Sequence, residues 1–96
     1  MVKHLVLAKA KPDCYEALTS LLRDFCKMAP TGIPGVISAT SGTNFSPISQ
    51  EFTHGLEVGL KDREALDVYL KHPEHTKVGE ELKSLIDSRE LVDYET

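Results

Sequence analysis

No cluster of lysine or arginine, no long apolar run and no cysteine framework occurs in this chain, and each absence removes a class of function. The net charge is -4. Without a basic patch there is no electrostatic footprint for a phosphate backbone, so no nucleic-acid partner is expected. The longest apolar run is Leu5 to Ala8, far short of the roughly 20 residues that span a bilayer, so no membrane partner is expected either. The N-terminus, MVKHLVLAK, has neither the length nor the cleavage site of a secretory signal, which points to a cytoplasmic protein. Cys14 and Cys26 are the only cysteines. On one helix they would lie about 18 Å apart, against a disulfide reach of about 7 Å, so free thiols in or near the core are expected. Phosphate-binding and dinucleotide-binding glycine motifs, Ser or Cys nucleophile motifs and CxxC pairs are also missing. Any catalysis is therefore expected to be acid–base chemistry with no cofactor.

What is present suits one globular domain over residues 1–96, with 41% hydrophobic and 27% charged residues. A fold this small buries only about 60–65% of the surface its unfolded chain exposes, so a partner chain would help it. Residues 3–9, KHLVLAK, form a strand that is apolar on both parities apart from His4. In residues 11–29, Leu18, Leu21, Leu22, Phe25 and Met28 recur at helical steps, with Pro12 and Asp13 suited to the first turn. PTGIPG at 30–35 punctuates that helix. Residues 36–44 predict an edge strand. Residues 52–60 alternate cleanly, with Phe52, His54, Leu56, Val58 and Leu60 on one face. Asp62 suits a helix N-cap, Pro73 stops that helix or opens another, and residues 90–95, ELVDYE, close as a strand.

The order β-α-β-β-α-β predicts an α+β, ferredoxin-like sandwich. Two helices cover one sheet face and leave the other to a second copy, so a homodimer packed through the sheet face is expected. Glu57 points to that second face and needs a partner or water there. In this fold the first and third strands are expected to be parallel neighbours, which puts His4 and His54 at the same end of the sheet. The helix after Asp62 would then return Tyr69, His72 and His75 to them, under a roof of Leu22, Phe25 and Met28. Taken singly, each of these residues has an ordinary structural explanation: a hydrogen-bonded histidine, an anchored core tyrosine, or a helix cap at His72. Together they predict a pocket for a small apolar ligand. Metal is not expected, because His72 and His75 straddle a helix break and no carboxylate has ligand spacing.

The segments KHLVLAK, IPGV, FTHGLEV, YLKHPEH and VDYE resemble the stress-responsive A/B barrel (Dabb) domain family from Val2 to about Glu95. The resemblance implies a dimeric α+β barrel with a ferredoxin-like fold. The family includes plant stress-induced proteins and plant polyketide cyclases. By resemblance to the cyclases, Tyr69 and His75 would be the catalytic pair, and His4, His54 and His72 would support a polyketide-like substrate. The chain departs from the cyclase pattern at Phe52 and Gly55. Two readings follow. In one, His75 is the base and Tyr69 the oxyanion donor of an intramolecular aldol closure. In the other, the dimer is non-catalytic and binds a small apolar molecule. A cofactor-independent monooxygenase ranks third, on fold analogy alone.

Overall fold

Val2, His4, Val6 and Ala8 are buried while Lys3, Leu5, Leu7 and Lys9 face the other way, and this period of two makes β1 (Val2–Ala10). The computed structural model describes residues 1–96. Pro12 and Asp13 lie in a turn ahead of the helix rather than in its first turn; Cys14 N–H closes it on the Lys11 carbonyl at 3.0 Å. Asp13 takes a left-handed φ of 69° there, which an aspartate tolerates better than most residues. The helix itself, α1 (Tyr15–Gly32), buries Leu18, Leu22, Phe25 and Ala29, one stripe at three- and four-residue steps.

Pro30 does not end α1 as the sequence suggests. It sits inside the last turn, where the missing N–H costs one bond, and Ile33 N–H still closes on the Ala29 carbonyl at 3.0 Å. The strands β2 (Val36–Thr43) and β3 (His54–Leu60) follow. The segment after Asp62 is two helices, α2 (Arg63–Lys71) and α3 (Pro73–Leu85). Asp62 caps α2 through a 2.8 Å bond from Ala65 N–H. The last strand, β4 (Ile86–Glu95), starts four residues before position 90, because α3 hands over to it directly and Ile86 pairs with Ala10.

The sheet order is β2-β3-β1-β4 and every pairing is antiparallel. This corrects the parallel β1–β3 arrangement. The β2–β3 reversal sends β3 back down the sheet, so His4 lies opposite Val58, and His54 lies opposite Ala8 at the far end. His4 and His54 do not share a site. The core is the layer between the sheet and the helices, built on Leu18, Ile33, Val58, Leu60 and Tyr69, all nearly inaccessible.

No helix covers the opposite sheet face. Leu7, Val92 and Tyr94 lie on it with 45%, 55% and 44% of their surface exposed, and the β1–β4 register sets Leu5 against Val92. Glu57 finds its partner on this face: Lys3 Nζ lies 2.9 Å away. No helix is long and apolar enough to cross a membrane.

Candidate functional site

The sequence YLKHPEH marks the point where α2 breaks and restarts. Tyr69 lies in the last turn of α2, and the carbonyl of Tyr69 accepts from His72 N–H at 3.1 Å. Pro73 opens α3 at a position that needs no N–H. His72 caps α3, its Nδ1 accepting from Glu74 N–H at 3.1 Å. The break decides where His75 goes. On one continuous helix, six residues would put His75 about 9 Å along the axis and about 120° around from Tyr69. Instead the restart turns the chain back, and the two rings sit 4.6 Å apart between centroids.

Tyr69 is the hub of the site. The edge of His4 meets it at 5.4 Å and Phe25 of α1 at 6.3 Å. These residues border a cavity of about 180 Å³ between α1, α3 and the sheet, with Leu22 and Leu56 among its apolar walls. Tyr69 has 1% of its surface exposed, yet its hydroxyl bonds to no other protein group, and no buried polar side-chain atom goes unpartnered. The oxygen therefore opens onto the cavity and has a donor to offer there.

The surroundings push the two central groups in opposite directions. Burial raises the Tyr69 phenol well above its ordinary value, and the Cys26 and Asp93 charges add to this. Burial lowers the His75 imidazole; His4 and Arg89 lower it further, against an opposing hydrogen bond from the Leu70 backbone. At neutral pH the site therefore holds a protonated phenol beside a neutral imidazole. That is the pairing of a hydrogen-bond donor with a free base.

His4 has a fixed orientation. Its Nδ1 lies 2.5 Å from Asp93 Oδ1, with the ring N–H donating and the carboxylate oxygen accepting. Asp93 stands directly opposite His4 in the β1–β4 register. Sequence reasoning missed it as a site residue. VDYE is visible in the sequence, but only the register shows that its aspartate faces a histidine. Arg89 and Leu91 of β4 also line the cavity and were missed for the same reason.

The other expected site residues are placed as follows. Leu22 and Phe25 line the cavity, while Met28 packs on the core and against Gly32, away from it. His72 is the α3 cap and takes no place in the lining. His54 forms its own buried cluster at the far end of the sheet, with Nε2 2.8 Å from Thr19 Oγ1 and Nδ1 2.7 Å from Thr53 Oγ1. Thr19 already donates its hydroxyl to the Tyr15 carbonyl at 2.9 Å, so it accepts from His54 Nε2–H; on the other side the Thr53 hydroxyl bridges His54 Nδ1 and the Ala8 carbonyl, 3.2 Å away. Both ring nitrogens are occupied, and burial lowers the pKa of the ring, against opposing effects of the Tyr15 backbone and Glu16. This histidine is built into the structure and has no nitrogen free for a ligand. No group of three or more His, Cys, Asp and Glu side chains is placed to hold a metal.

The fold recurs in solved structures. A protein from Arabidopsis thaliana is 24% identical, with a TM-score of 0.88 over 100% of this chain and 95% of its own. A dimeric protein of ferredoxin-like fold from Bacteroides fragilis is 25% identical, with a TM-score of 0.85 over 99% of this chain and 95% of its own. A hydroxynitrile lyase from Passiflora edulis is 16% identical, with a TM-score of 0.83 over 97% and 90%. No curated protein sequence matches significantly. With the Stress responsive A/B Barrel Domain matched over residues 2–96, the chain belongs to that family.

Proposed function

We propose that this protein is a homodimer whose cavity carries out cofactor-free acid–base chemistry on a carbon acid, closing a linear polyketide by an intramolecular aldol step. The observation that carries the reading is the juxtaposition of Tyr69 and His75, 4.6 Å apart on the wall of a largely apolar cavity. The neutral His75 imidazole takes a proton from a methylene flanked by two carbonyls, breaking the C–H bond and leaving an enolate. The enolate carbon attacks a distal carbonyl of the same chain and forms the ring C–C bond. Tyr69 donates a hydrogen bond to the oxygen on which charge develops, and imidazolium His75 returns its proton to the alkoxide. Asp93 holds the His4 ring in one orientation, and His4 in turn borders Tyr69. Much of the acceleration comes from confinement of a flexible chain, where effective molarity can reach about 10⁵ M.

The exposed apolar residues Leu7, Val92 and Tyr94, on a face no helix covers, support dimerisation through the sheet. The dimeric state of the Bacteroides fragilis neighbour supports it too. Two free, half-buried thiols, Cys14 and Cys26, suit a cytoplasmic setting. The small size of the cavity, about 180 Å³, favours a second reading, in which the dimer only binds a small apolar molecule.

A coupled assay separates the two. The protein is incubated with a type III polyketide synthase and acyl-CoA starters, beside folded Tyr69→Phe and His75→Ala variants. A cyclised acid that forms with the wild type and is lost in both variants supports the cyclase. The same pyrones and lactones with and without the protein, across starter lengths, refute it and leave the binding dimer.

A further inference from the structure

Arg89 brings a permanent charge to a cavity whose walls are otherwise mostly apolar. It lies opposite Ala8 in the β1–β4 register, with Leu91 opposite Val6 and Asp93 opposite His4. The three side chains therefore share the face of β4 that borders the cavity, and since β4 is exposed along nearly all its length, Arg89 stands at the cavity's open rim. The other arginines are paired, Arg23 with Asp24 at 3.5 Å and Arg63 with Glu95 at 2.9 Å. Arg89 enters no ion pair. The carboxylate on its own face, Asp93, is taken up by His4. Its field nonetheless reaches the site, since it helps to lower the His75 imidazole.

We propose that the cavity takes a small organic acid, with the carboxylate held by Arg89 and an apolar body lying against Leu22, Phe25 and Leu91. A planar guanidinium matches a carboxylate with two parallel hydrogen bonds. Size narrows the class further. An engineered apolar cavity of about 150 Å³ holds one benzene, and this one is about 180 Å³. The fit is a single-ring acid or a short-chain one, not a long acyl chain. This deepens the reading above and rests on it for the cavity's being a ligand site. The polyketide would be a short free acid, anchored at Arg89 with its reacting carbons toward Tyr69 and His75, and thioester hydrolysis would have to precede it.

The test is calorimetric binding of benzoate and hexanoate beside their neutral counterparts, benzamide and 1-hexanol. The proteins are wild type, Arg89→Met, which keeps an apolar stem, and Arg89→Lys, which keeps the charge without the fork. The expected result is that the acids bind wild type at least about tenfold more tightly than the neutral molecules. Arg89→Met removes that preference and Arg89→Lys restores part of it. Equal binding of acid and neutral molecule, unchanged acid binding in Arg89→Met, or no binding of any probe overturns the proposal. Failure here is distinguishable from failure of the cyclase reading. Arg89-dependent binding without turnover sinks only the chemistry, and turnover without Arg89-dependent acid binding sinks only the anion site.

Discussion

Gly35 is the position where a single added methyl has the most to disturb. Its φ is 85°, a region that costs an L-residue with a side chain about 1–2 kcal/mol. A Cβ built there would stand 2.6 Å from the Ala65 Cβ, about 1 Å inside the best carbon–carbon separation. The turn cannot easily slide away, because the Gly35 carbonyl accepts from Lys61 N–H at 2.9 Å and ties it to the end of β3. Overpacking of this kind costs about 1–3 kcal/mol. Gly35→Ala should therefore lose about 2–5 kcal/mol, or about 8–40 °C in Tm for a domain of this size. Thermal and urea unfolding would be compared at matched protein concentration, since a dimer's stability depends on it.

The mechanism is separable from the φ cost by a double-mutant cycle. Ala65→Gly alone should cost about 1 kcal/mol in helix propensity. In that background the steric share of the Gly35→Ala loss should vanish, leaving a coupling of about 1–3 kcal/mol. Tyr69 lies one turn beyond Ala65 on the same side of α2, so relief of the contact by lifting the helix should also displace the site and lower turnover. A loss under about 0.5 kcal/mol, or strict additivity in the cycle, would refute the reasoning.

Three further outcomes are expected. His72→Ala removes the α3 cap and should cost about 1 kcal/mol in urea unfolding, with a fall in ligand binding as His75 loosens. Stability should decline as pH falls below about 6.5, because His54 and His75 are held neutral in the fold while the unfolded chain takes up the protons first; urea midpoints at about pH 7.5 and pH 5 check this, and His54→Asn should flatten the decline. Val92→Lys puts a charge on the uncovered sheet face and should convert a dimer to monomer in light scattering, whereas an unchanged mass would place the interface elsewhere.

Much of this architecture is legible in residues. The alternation of 52–60 predicts β3 and its buried face, and Asp62 announces the helix that carries Tyr69. The crowding of Tyr69 and His75 around Pro73 points to the site. Strand direction is harder to read, because a strand's own pattern is the same in either orientation. Only the reversals along the chain show that β3 runs against β1 and carries His54 away from His4. Arg89 and Asp93 are hidden for another reason. Their meaning lies in which β1 residue each one faces, and no glycine or proline marks the passage from Leu85 to Ile86 where β4 begins. The free Arg89 guanidinium becomes visible only once the other charges have been paired.

The central claim is that the helix break parks a neutral, reachable base against Tyr69. The most direct measurement is an NMR titration of the histidine ring nitrogens in the folded protein, with His75 assigned by a His75→Gln variant. His75 should titrate reversibly without unfolding, with a midpoint below about 6.5, and its signals should shift when benzoate is added. A His75 ring that stays silent until the protein unfolds, or that titrates above about 6.5 and ignores the ligand, would contradict the claim.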